Sequence, residues 1–145
     1  MAQKHGFIFE PGDWKGEGTV SFSASPEQVP FLTFWSVDAS EGEGIRCEQR
    51  VEMEGADEGV RNKIHIYDVT ANTFSISLEN DIVGQVIGTG IIDENTIAWE
   101  FRGHIGFQGY EVYEKKGEGG EYHFHAEYSS PDQFRTIIDG IILKK

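Results

Sequence analysis

A single cysteine, Cys47, stands in the 145 residues, which excludes an internal disulfide and any zinc site built from several thiolates. Cations are scarce too: 12 Lys and Arg face 25 Asp and Glu, for a net charge of −13. Nucleic-acid binding needs a basic face that displaces counterions, so that class is disfavoured, and anionic membrane surfaces are disfavoured on the same ground. Long apolar runs are also missing. The stretch from Met1 to Glu10 holds only the run Phe7-Ile8-Phe9, too short for the core of a secretory signal, and no segment reaches membrane-spanning length. The expectation is a cytoplasmic protein with no nucleic-acid or membrane partner. Residues 1–10 read as a loosely ordered segment ahead of a single domain that fills the rest of 1–145.

What the chain does have is alternation. From Trp14 the even positions read Trp14, Gly16, Gly18, Val20 and Phe22, and the odd ones Lys15, Glu17, Thr19, Ser21 and Ser23. A period of two with one wet face marks an antiparallel strand half-buried against a core. Turn-like clusters at 25–27, 40–44, 55–59, 71–72, 79–81, 93–95, 117–120 and 129–132 punctuate the rest. Between them lie about ten strand-length segments, beginning near Trp14, Phe31, Ile45, Val60, Thr73, Ile82, Thr96, Gly106, Glu121 and Gln133. Short connections favour an up-and-down meander, and so many strands remove their edges best by closing. The fold class is all-β: one antiparallel up-and-down barrel. Gly88 and Gly90, inside a strand pattern, suit the bends of its wall. The one helical expectation is a single turn from Pro26 to Gln28, capped by Ser25 and stopped by Pro30.

The stretch Gly12-Asp13-Trp14-Lys15-Gly16-Glu17-Gly18 resembles the first-strand signature of calycin barrels, the group that holds lipocalins and fatty-acid-binding proteins. Its Gly-x-Trp-x-Gly-x-Gly form is most similar to nitrobindin-like proteins, which are ten-stranded barrels. The resemblance implies that Trp14 plugs one barrel end, that Gly16 and Gly18 let the strand bend over it, and that the interior holds a ligand cavity. Elsewhere the chain departs from these families. Nitrobindin-like proteins hold haem through a histidine just before the last strand, where this chain reads Ser130-Pro131-Asp132-Gln133-Phe134, so no cofactor is expected. Lipocalins set an arginine of the last strand against the signature tryptophan; here Lys144 and Lys145 end the chain and Arg135 opens the strand. Fatty-acid-binding proteins insert two helices after the first strand, and 24–29 is too short for them.

Alternation also sorts the interior. The inward set runs Phe31, Thr33, Trp35 and Val37; then Ile45, Cys47, Gln49, Val51 and Met53; then Val60, Asn62, Ile64 and Ile66. Further along come Phe74, Ile76, Leu78, Ile97, Trp99, Phe101, Tyr122, Phe124, Ala126 and Tyr128. Thr33, Gln49 and Asn62 are polar in an apolar phase. An apolar cavity with a few convergent polar groups is how small-molecule sites are built, and the plainer account is an internal hydrogen-bond network. The expected site is therefore Thr33, Gln49 and Asn62 with walls of Trp35, Trp99, Phe101, Tyr122 and Phe124, taking a small apolar or amphipathic molecule without covalent chemistry.

Other candidates carry less. His123 and His125 share a strand face with Glu121 and Glu127, a set that suits zinc or nickel, but the opposite face is the apolar one and leaves the rings in solvent. Neither His65 nor His104 has a partner recognisable from sequence. Cys47 has no basic activator in its own phase, since Arg46 and Arg50 face out, so it reads as an inert buried thiol. The alternative from another class is an isomerase- or lyase-type enzyme with Glu100, Arg102 or His104 at the cavity mouth. A third is a filled barrel serving as an interaction module, dimeric through an exposed sheet face.

Overall fold

The computed structural model describes residues 5–23, 25–38, 44–55, 59–104, 107–117, 120–129 and 135–145. Ten strands follow in order: β1 (Gly12–Phe22), β2 (Ser25–Val37), β3 (Ile45–Met53), β4 (Val60–Tyr67), β5 (Thr73–Asn80), β6 (Gly84–Ile92), β7 (Thr96–His104), β8 (Phe107–Lys116), β9 (Glu121–Ser129) and β10 (Arg135–Lys144). Each pairs antiparallel with its sequence neighbours, and β10 closes on β1 with Trp14 opposite Lys144 and Gly18 opposite Gly140. The result is a closed up-and-down barrel, as the alternation predicts, with no strand edge left bare.

Two boundaries differ from expectation. The segment after Ser25 is not a helical turn; β2 starts there and carries Pro30 as an extended residue opposite Thr19. Proline's fixed φ suits a strand as well as a helix start, and its carbonyl still accepts from the Glu54 amide at 3.0 Å. Pairing with β1 overrides the local cap signal. β6 begins at Gly84 rather than Ile82, because the Asn80 carboxamide oxygen accepts from the amides of Ile82 and Val83, both at 2.9 Å, and folds 81–83 into a turn.

Close approach explains two of the glycines. A Cβ on Gly18 would lie 2.0 Å from the Asp139 carbonyl oxygen, so β1 can bend against β10 only without one. A Cβ on Gly90 would meet the Phe74 ring at 2.1 Å, and the bare backbone there is what seats that ring inside.

The larger correction concerns the N-terminus. His5, Phe7, Ile8 and Phe9 are buried, three of them at 0–2% exposure, so residues 5–10 form no loose segment. They make one turn, closed by the Glu10 amide on the Gly6 carbonyl at 3.0 Å, and that turn sits in one end of the barrel. Phe7 meets Trp14, Trp35, Tyr113 and Tyr122 with ring centroids 4.9–5.6 Å apart. Ile8 adopts φ of 60°, a strained conformation for a β-branched residue that persists only because its surroundings over-determine it. Burying these apolar groups is the driving force.

Candidate ligand cavity

Inward side chains divide by height along the barrel axis. Toward the end that receives residues 5–10, the interior is aromatic and dry. Trp14 is 2% exposed there, as its likeness to a barrel-end tryptophan implies. Tyr113 stacks on Trp99 at 5.0 Å and on Phe124 at 5.1 Å. His5 holds the insert in place: its Nε2–H donates to the Asp93 carbonyl at 2.6 Å, which leaves Nδ1 to accept from the Tyr122 hydroxyl at 2.7 Å.

The other half is open. A cavity of about 250 Å³ lies there, walled by Val20, Phe22, Phe31, Val51, Leu78 and Ile138 among others. Thr33, Gln49, Asn62 and Phe124 of the expected site line it. Trp35, Trp99 and Tyr122 do not line it but belong to the aromatic packing above, and Phe101 lies over Gly88, where a Cβ would come within 2.9 Å of its ring. Alternation fixes which way a side chain points but not its depth, and successive inward residues sit roughly 7 Å apart along a strand. Two larger grooves, about 520 Å³ beside Glu17, Leu32 and Glu52 and about 530 Å³ beside Glu100, Arg102 and Tyr110, run over the outer wall among solvated charges.

The three polar residues join a ladder across four strands. Gln49 Nε2 donates to Thr33 Oγ1 at 3.1 Å, Asn62 Nδ2 to Gln49 Oε1 at 2.9 Å, and Asn80 Nδ2 to Asn62 Oδ1 at 2.8 Å. Asn80 then accepts from the turn amides after it. Each amide donates one of its two hydrogens into the ladder.

Across the cavity stands Glu111, which sequence reasoning missed. In the ring, β8 lies five strands from β3 in either direction, so Glu111 faces Gln49 across the barrel diameter. Its cross-strand neighbours are Trp99 and Ala126. The Tyr113 hydroxyl donates to one carboxylate oxygen at 2.7 Å and the Tyr128 hydroxyl to the other, with the Trp99 indole as a third donor. Burial pushes the Glu111 pKa up, and the donors from Tyr128, Tyr113 and Trp99 pull it back only in part. Its residual accessible surface opens into the cavity. Tyr113 and Tyr128 are pushed up in turn, first by burial and then by the Glu111 charge.

The remaining candidates fall outside. His123 contacts Glu121 at 2.7 Å, and His125 sits between Asp139 at 2.6 Å and Glu127 at 2.9 Å, all on the outer wall. His125 is raised by its hydrogen bonds to Glu127 and then Asp139. Glu100 and Arg102, expected at the cavity mouth, pair with each other at 3.1 Å on the outer face, because their phase is opposite to that of Trp99 and Phe101. The His104 side chain lies outside what the structure describes, as does the 130–134 segment on which the haem expectation rests. Burial, then Asp38, pushes the Cys47 thiol up to about 12, as an inert thiol requires.

Fold and cavity together define a closed ten-stranded antiparallel β-barrel with space inside. The same fold is found in the S-type phycobiliprotein lyase CPES from Guillardia theta, with a TM-score of 0.67 over 93% of this chain and 88% of that one at 10% identity. Identity that low shows shared fold alone. No protein-family model matches the chain, and no curated protein matches it.

Proposed function

We propose that this barrel binds one small, largely apolar molecule carrying a polar group, in the open half of its interior and without covalent chemistry. The observation that carries the reading is the cavity of about 250 Å³ with apolar walls and polar groups on two opposed sides. Apolar burial supplies most of the affinity and the amide ladder orients the polar group. The filled-barrel alternative fits only the end occupied by residues 5–10. A naphthalene-sized neutral fluorophore should bind saturably at one site and quench tryptophan emission. Ala126→Phe, which places a ring in the cavity, should abolish that binding. Binding untouched by Ala126→Phe, or no saturable binding to the parent protein, sinks the reading.

A second reading has one observation in its favour. An enzyme cavity needs an inward titratable group, and Glu111, whose pKa burial raises, is one. Likeness of fold to a phycobiliprotein lyase adds an analogy and no residue. This enzyme reading requires that a bound ligand be recovered chemically changed, with the change lost in Glu111→Gln. Recovery of the ligand intact rejects it.

A further inference from the structure

Glu111 is a carboxylate set into an apolar interior. Among the described residues that line the cavity there is no Lys, Arg or His to balance it. The described partners of the carboxylate are the neutral donors Tyr113, Tyr128 and Trp99. An ionised carboxyl group offers about four lone-pair sites, so three neutral donors leave one direction open. Neutral donors also do not cancel its charge, and an isolated buried charge is among the most costly features a fold can keep.

The surroundings select the sign of the missing partner. Tyr113 and Phe124 stack at 5.1 Å, and Phe124 and Tyr128 both line the cavity, so aromatic faces stand beside the carboxylate. Ring faces attract cations and not anions. The far wall presents only uncharged amides and Thr33. Over the whole molecule the net charge of −13 raises the local concentration of small cations and lowers that of anions.

We propose that the guest is a small organic cation, a protonated amine with an apolar body, whose ammonium group pairs with Glu111 while its chain lies along Phe31, Val51 and Leu78. This rests on the binding reading above and narrows it to one ligand class. The amine supplies the absent counter-charge, donates into the open lone-pair direction and lies against the aromatic faces, while the amide ladder contacts whatever polar group its far end carries.

Three probes of one length separate the outcomes: hexylamine, hexan-1-ol and hexanoate, titrated calorimetrically into the full-length protein at neutral pH. Hexylamine should bind at least tenfold more tightly than hexan-1-ol, and hexanoate should not bind measurably. Glu111→Gln should erase the preference for the amine by bringing hexylamine to the affinity of hexan-1-ol. Glu100→Gln, which removes a carboxylate from the outer wall, should leave the preference in place. If Glu111→Gln fails to fold, Glu111→Asp keeps the charge and should keep the preference. Equal binding of alcohol and amine, a preference for hexanoate, or an amine preference that survives Glu111→Gln would overturn the assignment while the cavity reading stands. Failure of all three probes to bind would remove the cavity reading itself.

Discussion

The two ends of this barrel share one wall and differ in what fills them. At one end Phe7, Trp14, Trp35, Trp99, Tyr113 and Tyr122 meet at centroid distances of 4.9–6.2 Å, and the indole N–H groups of Trp14 and Trp35 find no partner among the described residues. At the other end Thr33, Gln49, Asn62, Asn80 and Glu111 line the cavity and each of these five is hydrogen-bonded. A buried N–H left unpaired costs roughly 1–3 kcal/mol, so the dry end tolerates that penalty twice because the rings gain more from burial and mutual packing. The polar end gives up that packing and keeps a vacancy. Strand alternation is the same in both; the difference comes from six residues of N-terminal chain that enter one end and not the other.

The largest test of this contrast is removal of a ring from the filled end. Phe7→Ala and Trp14→Ala should each cost roughly 3–5 kcal/mol in urea denaturation, as aromatic truncations in cores do; a loss below about 1 kcal/mol for Phe7 would mean the end is not filled by this segment. Next come matched aliphatic truncations. Ile66→Ala, at 0% exposure in the filled half, should cost roughly 2–5 kcal/mol. Met53→Ala, whose side chain borders the cavity, should cost about 1 kcal/mol, since contacts are lost on one side only. Equal losses would erase the distinction between the halves. Smaller again is Gln49→Leu, which should weaken polar-headed ligands by roughly 1–2 kcal/mol and leave purely apolar probes as tight or tighter. An equal effect on both ligand types would show that the ladder is structural only.

The smallest effect is read against pH. Burial raises the Glu111 pKa above its ordinary value of 4.5, so folding favours the protonated form. Its contribution is therefore fully present below about pH 4 and is lost as the pH rises through the folded-state pKa. Stability of the parent relative to Glu111→Gln should accordingly fall as the pH is raised above the ordinary carboxyl value of 4.5, by thermal denaturation at fixed ionic strength. A difference that is flat in pH, or that rises, would place Glu111 in water or beside a cation.

Much of the wall was legible in the sequence. Trp14 to Phe22 alternates without a break, Ile45 to Met53 breaks only at Gln49, and Phe31 to Val37 keeps its inward phase through Phe31, Trp35 and Val37, and that pattern fixes which side chains turn inward. The strand near Gly106 was legible but its phase was not, because Tyr110, Val112 and Glu114 on one phase of β8 mirror Gly109, Glu111 and Tyr113 on the other, with an aromatic and a carboxylate in each. Only pairing with β9, which sets Glu111 opposite Ala126 and Tyr113 opposite Phe124, decides the phase. Thr33, Gln49 and Asn62 were found because each breaks an otherwise apolar phase. Asn80, the end of their ladder, sits at a turn where asparagine is ordinary and carries no such signal. Phe7-Ile8-Phe9 has no period to read, and its burial depends on the shape of a barrel mouth formed by residues far along the chain.

That last dependence bears on how the molecule is made. His5 bonds to Tyr122 across 117 positions of sequence, and Phe7 rests on Tyr113 and Tyr122. Synthesis supplies the Phe-Ile-Phe run well ahead of Tyr113 and Tyr122, so until those residues emerge the three side chains lack their native seat. Ring closure between the first and last strands carries the same delay, and contacts this distant in sequence form slowly. In that interval the nascent chain displays a sticky segment, and slowing translation should lengthen the time for which holding chaperones are needed.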